Sequence, residues 1–353
     1  MFSNLDLLPI FTAFFVATIL LIIMTPFAHQ LGLVDEPVGR KMHSGIVPLT
    51  GGVAIYGAVI IASFVTDALF KNGSLFFTAS TVIVLLGMLD DKFGLSAKGR
   101  LLCQFGVAAI MALAAQNYIT CLGDINGTGD IYLGFSGYFF TLICVVGVIN
   151  AFNMIDGIDG LAAGMSLIVL SSVVLLLLVS NSEAIMAPMI VIAAIVPFLA
   201  FNLSWRGFKG NKIFLGDSGS MFVGLTIVWL LVDFTQGVGA TIRPVAAIWI
   251  IGLPLMDMTA IMVRRFKKGQ SMLKPDRHHL HNIFMRAGFS SRRALIVILL
   301  MGCGYAMIGI TGEIFEVPEY IMFWGFIVFL VTYTLVLQNI WTILRFVRTL
   351  QYR

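Results

Sequence analysis

Three short stretches of the chain concentrate acidic and amide side chains among glycines. They are Asp90–Asp91, the run Asn150-Ala-Phe-Asn-Met-Ile-Asp-Gly-Ile-Asp-Gly160, and Phe214-Leu-Gly-Asp-Ser-Gly-Ser220. In the second, Asp156 and Asp159 are spaced i, i+3, which aligns their carboxylates if the turn is helical. Each precedes a glycine, which lets the backbone turn tightly and come close to a ligand. In the third, Asp217 opens an apolar run, where helix N–H groups favour anions, although an N-cap needs the same residue. A fourth stretch, from Arg264 to His281, is basic and holds three of the five histidines, His278, His279 and His281. Carboxylates surrounded by Lys and Arg suit a divalent cation together with a polyanion. Mg²⁺ binds through one or two carboxylates plus substrate phosphates, and basic groups neutralise the remaining charge. The competing reading makes these acids ordinary loop-end charge, and a lone Asp–Asp pair does not decide between the two. Zinc finds no support, because no Cys and no HExxH accompanies the histidines. Arg277 with its neighbouring histidines fits pyrophosphate recognition or proton transfer better. Asp257, in Pro254-Leu-Met-Asp257-Met, reads at least as well as a buried structural carboxylate paired with a neighbouring helix.

The elements that must position these residues are set by composition. Of 353 residues, 59% are apolar and 11% charged, against roughly 45–50% and about 25% in soluble domains. Continuous apolar runs without period-2 alternation predict membrane helices and not barrel strands. Eleven spans are expected, at 8–29, 49–67, 75–89, 101–116, 137–153, 161–180, 184–202, 218–235, 244–263, 294–313 and 320–344. The fold class is therefore an all-α polytopic membrane protein, with residues 1–353 as a single domain and no room for a soluble catalytic one. Twenty of the twenty-two Lys and Arg fall on one set of alternate loops and the C-terminal tail, leaving Lys71 and Arg243 on the other side. The positive-inside bias puts the N-terminus outside and the C-terminus in the cytoplasm. It places loops 30–48, 90–100, 154–160, 203–217 and 264–293, and so all four stretches, on the cytoplasmic face. With Asp6 as the only charge before it, the first span lacks the basic flank of a cleaved signal peptide. Cys103, Cys121, Cys144 and Cys303 form no CxxC pair, so no disulfide is expected. The net charge of +4 reflects topology and gives no reason to invoke nucleic acid.

Taken together, Asp90–Asp91, NxxDGxDGL from Asn153 to Leu161, FxGDxGS from Phe214 to Ser220 and PDRxHxH from Pro275 to His281 resemble the polyprenyl-phosphate N-acetylhexosamine-1-phosphate transferases. Pro254-Leu-Met-Asp-Met and Met285-Arg-Ala-Gly-Phe289 resemble the enterobacterial branch that starts O-antigen and common-antigen synthesis. The likeness runs from about residue 30 to 295, and all four motifs in this order are highly specific. It implies transfer of GlcNAc-1-phosphate from UDP-GlcNAc to undecaprenyl phosphate at the bacterial inner membrane, with release of UMP. It implies Mg²⁺, with Mn²⁺ as an alternative, at Asn153 and Asp217. Asp90, Asp91 and His279 become the candidates for catalysis. Asp156 and Asp159 become lining of the nucleotide pocket, and Phe214 a platform for uracil. Arg100, Arg265, Arg277, His278 and His281 become substrate-binding. Asn282 stands where the enterobacterial pattern has a histidine, and His278 where it has glutamine. Membrane lipid is an expected partner, and a homodimer is left open.

The implied reaction agrees with the placement of the acids. One substrate is a soluble nucleotide sugar and the other a phosphate on a lipid tail, and they meet only at the inner boundary. Within the same class, the alternative is the phospho-MurNAc-pentapeptide transferase of peptidoglycan synthesis. From another class it is a secondary transporter, which would place its polar residues near the midplane in repeated halves. The acids here line one face instead, and no internal repeat is visible.

Overall fold

The computed structural model describes residues 7–36, 45–65, 70–205, 211–237, 239–271 and 279–340. Long apolar runs bounded by Gly, Pro, Asn and Ser become helices α1 (Leu8–Leu31), α2 (Gly51–Phe64), α3 (Gly73–Phe93) and α4 (Ala97–Ala109). These are followed by α5 (Ser136–Ile155), α6 (Leu161–Val179), α7 (Met186–Asn202), α8 (Gly216–Thr235), α9 (Pro244–Ile250), α10 (Gly252–Lys267), α11 (Leu280–Arg286), α12 (Ser291–Ile314) and α13 (Glu319–Gln338). A π-helical turn, Ile110–Ala114, extends α4. Two short strands, β1 (Val34–Asp35) and β2 (Val47–Pro48), pair antiparallel ahead of α2. All four cysteines are free.

Each expected span coincides with a helix or a helix pair, but the structure departs from expectation in three respects. Among the described residues eight helices are long and apolar enough to cross a membrane, whereas α2 and α7 are apolar but shorter. At 14 and 17 residues they rise about 21 and 26 Å, less than the ~30 Å hydrocarbon layer. The ninth expected span is broken: α9 and α10 meet at Ile251 and bend by 74°. Gly252 and Pro254 explain the break, since proline donates no N–H and crowds the turn before it. α4 also begins earlier than expected, because Ser96 caps it by accepting from the Gly99 N–H. Arg100 is thus on a helix and not in a loop.

The core is built around α8, most of whose residues are buried. α2, α3 and α5 pack along it. Two of these crossings are close enough to forbid a side chain. A Cβ on Gly52 would overlap the Gly219 backbone, and one on Gly87 would overlap Ser218. Both contacts fall on the first turn of α8, so the glycines draw α2 and α3 onto the Asp217 segment. The chain entering α8 is held by backbone pairing. Phe214 N donates to Pro48 O, Gly51 N to Phe214 O, and Gly52 N to Leu215 O at 2.8, 3.1 and 2.9 Å.

Candidate active site

The C-terminal ends of α3 and α5 and the N-terminal ends of α6 and α8 converge at one end of the bundle. They enclose a cleft of about 550 Å³ lined by Asp35, Asp90, Asp91, Asp156, Asp159, Asp217, Phe214 and Asn282, among others. Three stretches far apart in sequence thus supply most of its carboxylates. The basic residues Lys92, Lys98, Arg100 and Lys212 lie on elements of the same end.

The paired aspartates on α3 have different surroundings. Asp90 is buried; its Oδ1 accepts from Leu95 N at 2.8 Å, and its Oδ2 accepts from the Arg100 guanidinium. Asp91 turns to α8, where Oδ1 accepts from Asp217 N at 2.9 Å and Oδ2 from Ser218 N at 3.4 Å. It therefore satisfies helix N–H groups that would otherwise lack partners. Asp217 lies inside that first turn and is not its N-cap. Its Oδ1 accepts from Asn153 Nδ2 at 2.7 Å, and Arg100 stands 3.8 Å from its Oδ2. The residues assigned to metal binding by resemblance are in direct contact.

The turn carrying Asp156 and Asp159 is not helical, contrary to the alignment expected from its i, i+3 spacing. Asp156 caps α5 instead, and α6 starts at Leu161. Asp159 Oδ2 accepts from Lys212 at 2.7 Å. Among the described residues no cation pairs with Asp156, and desolvation by the cleft walls first, then the charges of Asp217, Asp91 and Asp159, push it up to about 8 although the residue stays open to solvent. Desolvation and like charge both disfavour its ionised form. An added cation would relieve this arrangement. Among the described residues no three His, Cys, Asp or Glu side chains form a closed metal cage. A Mg²⁺ site needs only one or two carboxylates and completes its shell with water and substrate phosphates. Asp217, with Asn153 beside it, fits the part of the protein donor.

Phe214 lines the cleft, with the Lys212 ammonium 4.9 Å from its ring centroid. The basic loop divides differently from expectation. Arg277 and His278 lie outside the described residues, while Arg265, His279 and His281 are buried and none of them lines the cleft. His281 packs so tightly on Gly157 that a Cβ there would overlap its ring. Burial first, then His279, lowers His281 to about 4, so it is neutral at pH 7 and does not supply positive charge. Asn282, next to it, lines the cleft and contacts His281 Nε2 at 2.9 Å.

Four further residues shape the site without having been singled out. Asp35 reaches the cleft because β1 pairs with β2. Lys212 spans Asp159 and Phe214. Asn202, at the end of α7, accepts from Gly160 N at 2.6 Å and donates to Ile213 O at 2.8 Å, tying both walls together. Gln104 of α4 accepts from Asn150 of α5 at 2.6 Å. The available sequence signal was a polar amide at the end of, or inside, an apolar run, which costs free energy unless it is hydrogen-bonded.

Comparison with known proteins agrees with this geometry. The glycosyl transferase family 4 model matches residues 74–235, which contain all three acidic stretches. The undecaprenyl-phosphate alpha-N-acetylglucosaminyl 1-phosphate transferase of Escherichia coli K12 is 39% identical over 96% of this chain and 93% of its own length. The chain belongs to glycosyl transferase family 4. Proteins of the same name from Salmonella typhi and Pasteurella multocida are each 38% identical. The first alignment covers 96% of this chain and 93% of the relative, the second 98% of both. The family likeness expected from the motifs is borne out.

Proposed function

We propose that this protein transfers GlcNAc-1-phosphate from UDP-GlcNAc to undecaprenyl phosphate, giving undecaprenyl-pyrophosphoryl-GlcNAc and UMP. The observation that carries the reading is the meeting of the Asp90–Asp91, Asn153–Asp159 and Phe214–Asp217 stretches in one cleft at a helix-bundle end. The relatives named for this substrate pair match nearly the full chain. Counting α2, α7 and the bent pair α9–α10 as spans gives eleven. An odd number together with this basic bias supports a cleft on the cytoplasmic side, and the bacterial relatives support a bacterial inner membrane.

Phosphoryl transfer demands positioning and charge stabilisation more than covalent chemistry from the protein. An oxygen of the lipid phosphate attacks the β-phosphorus of UDP-GlcNAc in line, and the P–O bond to UMP breaks. Asp217 and Asn153 would hold Mg²⁺, which would supply neutralisation of the pyrophosphate charge. Phe214 offers a face to uracil, Arg100 and Lys212 face developing negative charge, and Asp90 or Asp91 orients the attacking lipid phosphate. Both oxygens of Asp90 and both of Asp91 already accept hydrogen bonds. Each oxygen keeps a further lone pair, so these bonds orient both carboxylates, and a covalent aspartyl-phosphate is the second route.

The test is an exchange assay with purified protein, Mg²⁺, undecaprenyl phosphate and UDP-GlcNAc. Lipid-linked GlcNAc pyrophosphate and stoichiometric UMP are expected. Turnover with UDP-MurNAc-pentapeptide alone would move the protein to the peptidoglycan branch. No UMP from either donor would overturn the transferase reading. Sugar-phosphate-labelled protein formed without lipid would favour the covalent route.

A further inference from the structure

Asp257 is 2% exposed within α10, outside the cleft, yet it gathers donors from three directions. Its Oδ2 lies 3.0 Å from His279 Nδ1. Its Oδ1 accepts from Leu280 N and from the Tyr333 hydroxyl of α13, both at 3.1 Å. The bend at Ile251 matters here, because α10 leaves the axis of α9 and carries Asp257 to the start of α11.

A carboxylate only accepts hydrogen bonds, so the His279 contact requires a proton on Nδ1 and leaves Nε2 without one in the neutral ring. The His279 ring is nearly parallel to that of His281, at 5.7 Å between centroids and 5° between planes. His281 in turn fills the space over Gly157, beside Asp156, and contacts Asn282 in the cleft wall. A continuous packed path therefore runs from Tyr333 and Asp257 through both histidines to the cleft.

We propose that Asp257 and Tyr333 are positioning residues for the transfer reaction. They clamp His279 in the Nδ1–H tautomer and hold the start of α11, so that Asn282 and Met285 stay in the cleft wall. This rests on the transferase reading above. The clamp touches no reacting atom; it sets where α11 stands. A carboxylate that fixes the tautomer and orientation of a metal-bound histidine is a recurrent device whose loss costs about 10- to 100-fold in function, and the same hydrogen bond fixes a histidine that holds no metal.

The full-length protein in lipid nanodiscs allows two independent readouts. Long-range ¹H–¹⁵N correlation with labelled histidine reports the tautomer, and His279 is assigned by the signal lost in His279→Gln. The wild type is expected to show Nδ1–H at His279. Asp257→Asn, whose amide can donate to Nδ1, is expected to shift that histidine to Nε2–H. Per folded molecule, kcat for UMP release should fall about tenfold in Asp257→Asn, while KM for UDP-GlcNAc stays within about threefold. Asp257→Glu should recover part of the loss, and Tyr333→Phe should lose about two- to fivefold.

An unchanged tautomer with unchanged kcat per folded molecule would overturn the clamp and leave Asp257 purely structural. If Asp257→Asn does not fold, the same measurements on Tyr333→Phe decide between clamp and scaffold, because its hydroxyl supplies only one of the three bonds. If the wild type releases no UMP with any donor, the function proposed above fails, and the tautomer measurement still tests the clamp alone.

Discussion

The two ends of the helix bundle treat their charges in opposite ways. At the end away from the cleft, the basic residues Lys71 and Arg243 each have a carboxylate partner. Arg243 donates from Nε to Glu313 at 3.0 Å, from Nη1 to Val317 O at 2.8 Å and from Nη2 to Gly312 O at 2.7 Å. Lys71 pairs with Asp233 at 3.3 Å. Gln236 accepts from Thr120 N and Cys121 N and donates to Cys121 O, fastening the 117–133 segment to the end of α8. At the cleft end, Asp91, Asp156 and Asp217 face one another with too little positive charge, and desolvation first, then these like charges, raises Asp156 to about 8. The contacts at one end hold helices together, whereas the cleft crowds carboxylates whose repulsion a proton or a bound cation relieves. Proteins tolerate such locally unfavourable electrostatics where chemistry needs it.

The contrast is tested most strongly by Asp217→Asn. The change keeps the shape of the side chain and removes one of the mutually repelling charges, so folding should be unharmed. Activity in the exchange assay should drop by at least about 100-fold, with apparent affinity for Mg²⁺ weakened in parallel. Thermal unfolding should move by no more than about 2 °C. A large loss of thermal stability instead would mean that Asp217 is a structural residue like those at the other end.

The mirror experiment is Arg243→Ala. It leaves Glu313 partly buried without its cation and two carbonyls without their donor. Breaking such a site costs about 2–4 kcal/mol, read as a lower denaturant midpoint in detergent. Turnover per folded molecule should be unchanged, since Arg243 is separated from the cleft by the length of α8. Loss of turnover at full stability would show that the two ends are coupled.

Much of this contrast was legible before any coordinates. The acidic stretches stood out because glycines accompany them, and the basic residues sorted to one side of the spans by simple alternation. The parts that were not legible depend on contacts between distant segments. Asp90 and Asp91 are adjacent and chemically identical, yet one answers Arg100 and the other the first turn of α8. Nothing local distinguishes them. Asp257 was expected to pair with a neighbouring helix, and it does bond Tyr333 of α13. Its link to His279, however, needed the bend at Ile251, and the Gly252–Pro254 signal for that bend was hidden inside an apolar run of ordinary span length. The histidines looked like a cationic loop by composition alone, whereas burial makes His281 neutral.

The smallest effect separates the two ends by pH. A carboxyl whose pKa is raised in the folded protein binds a proton there that the unfolded chain has released. Stability from this source is fully present below about pH 4 and is lost as pH rises through about 8. Asp156 alone contributes at most one proton, or about 1.4 kcal/mol per pH unit, and Asp217, raised to about 7, and Asp91, raised to about 6, add to the decline in the same direction. Denaturation midpoints of metal-free protein should therefore fall between pH 5 and 8. Asp156→Asn should flatten that decline, as should millimolar Mg²⁺ at the upper end of the range, where the cation offsets the charge that ionisation adds. The Arg243 variant, with its cleft intact, should keep the wild-type slope from a lower starting point. If Asp156→Asn retains the full slope, the excess negative charge resides elsewhere in the molecule, and the assignment of the cleft as the strained end fails with it.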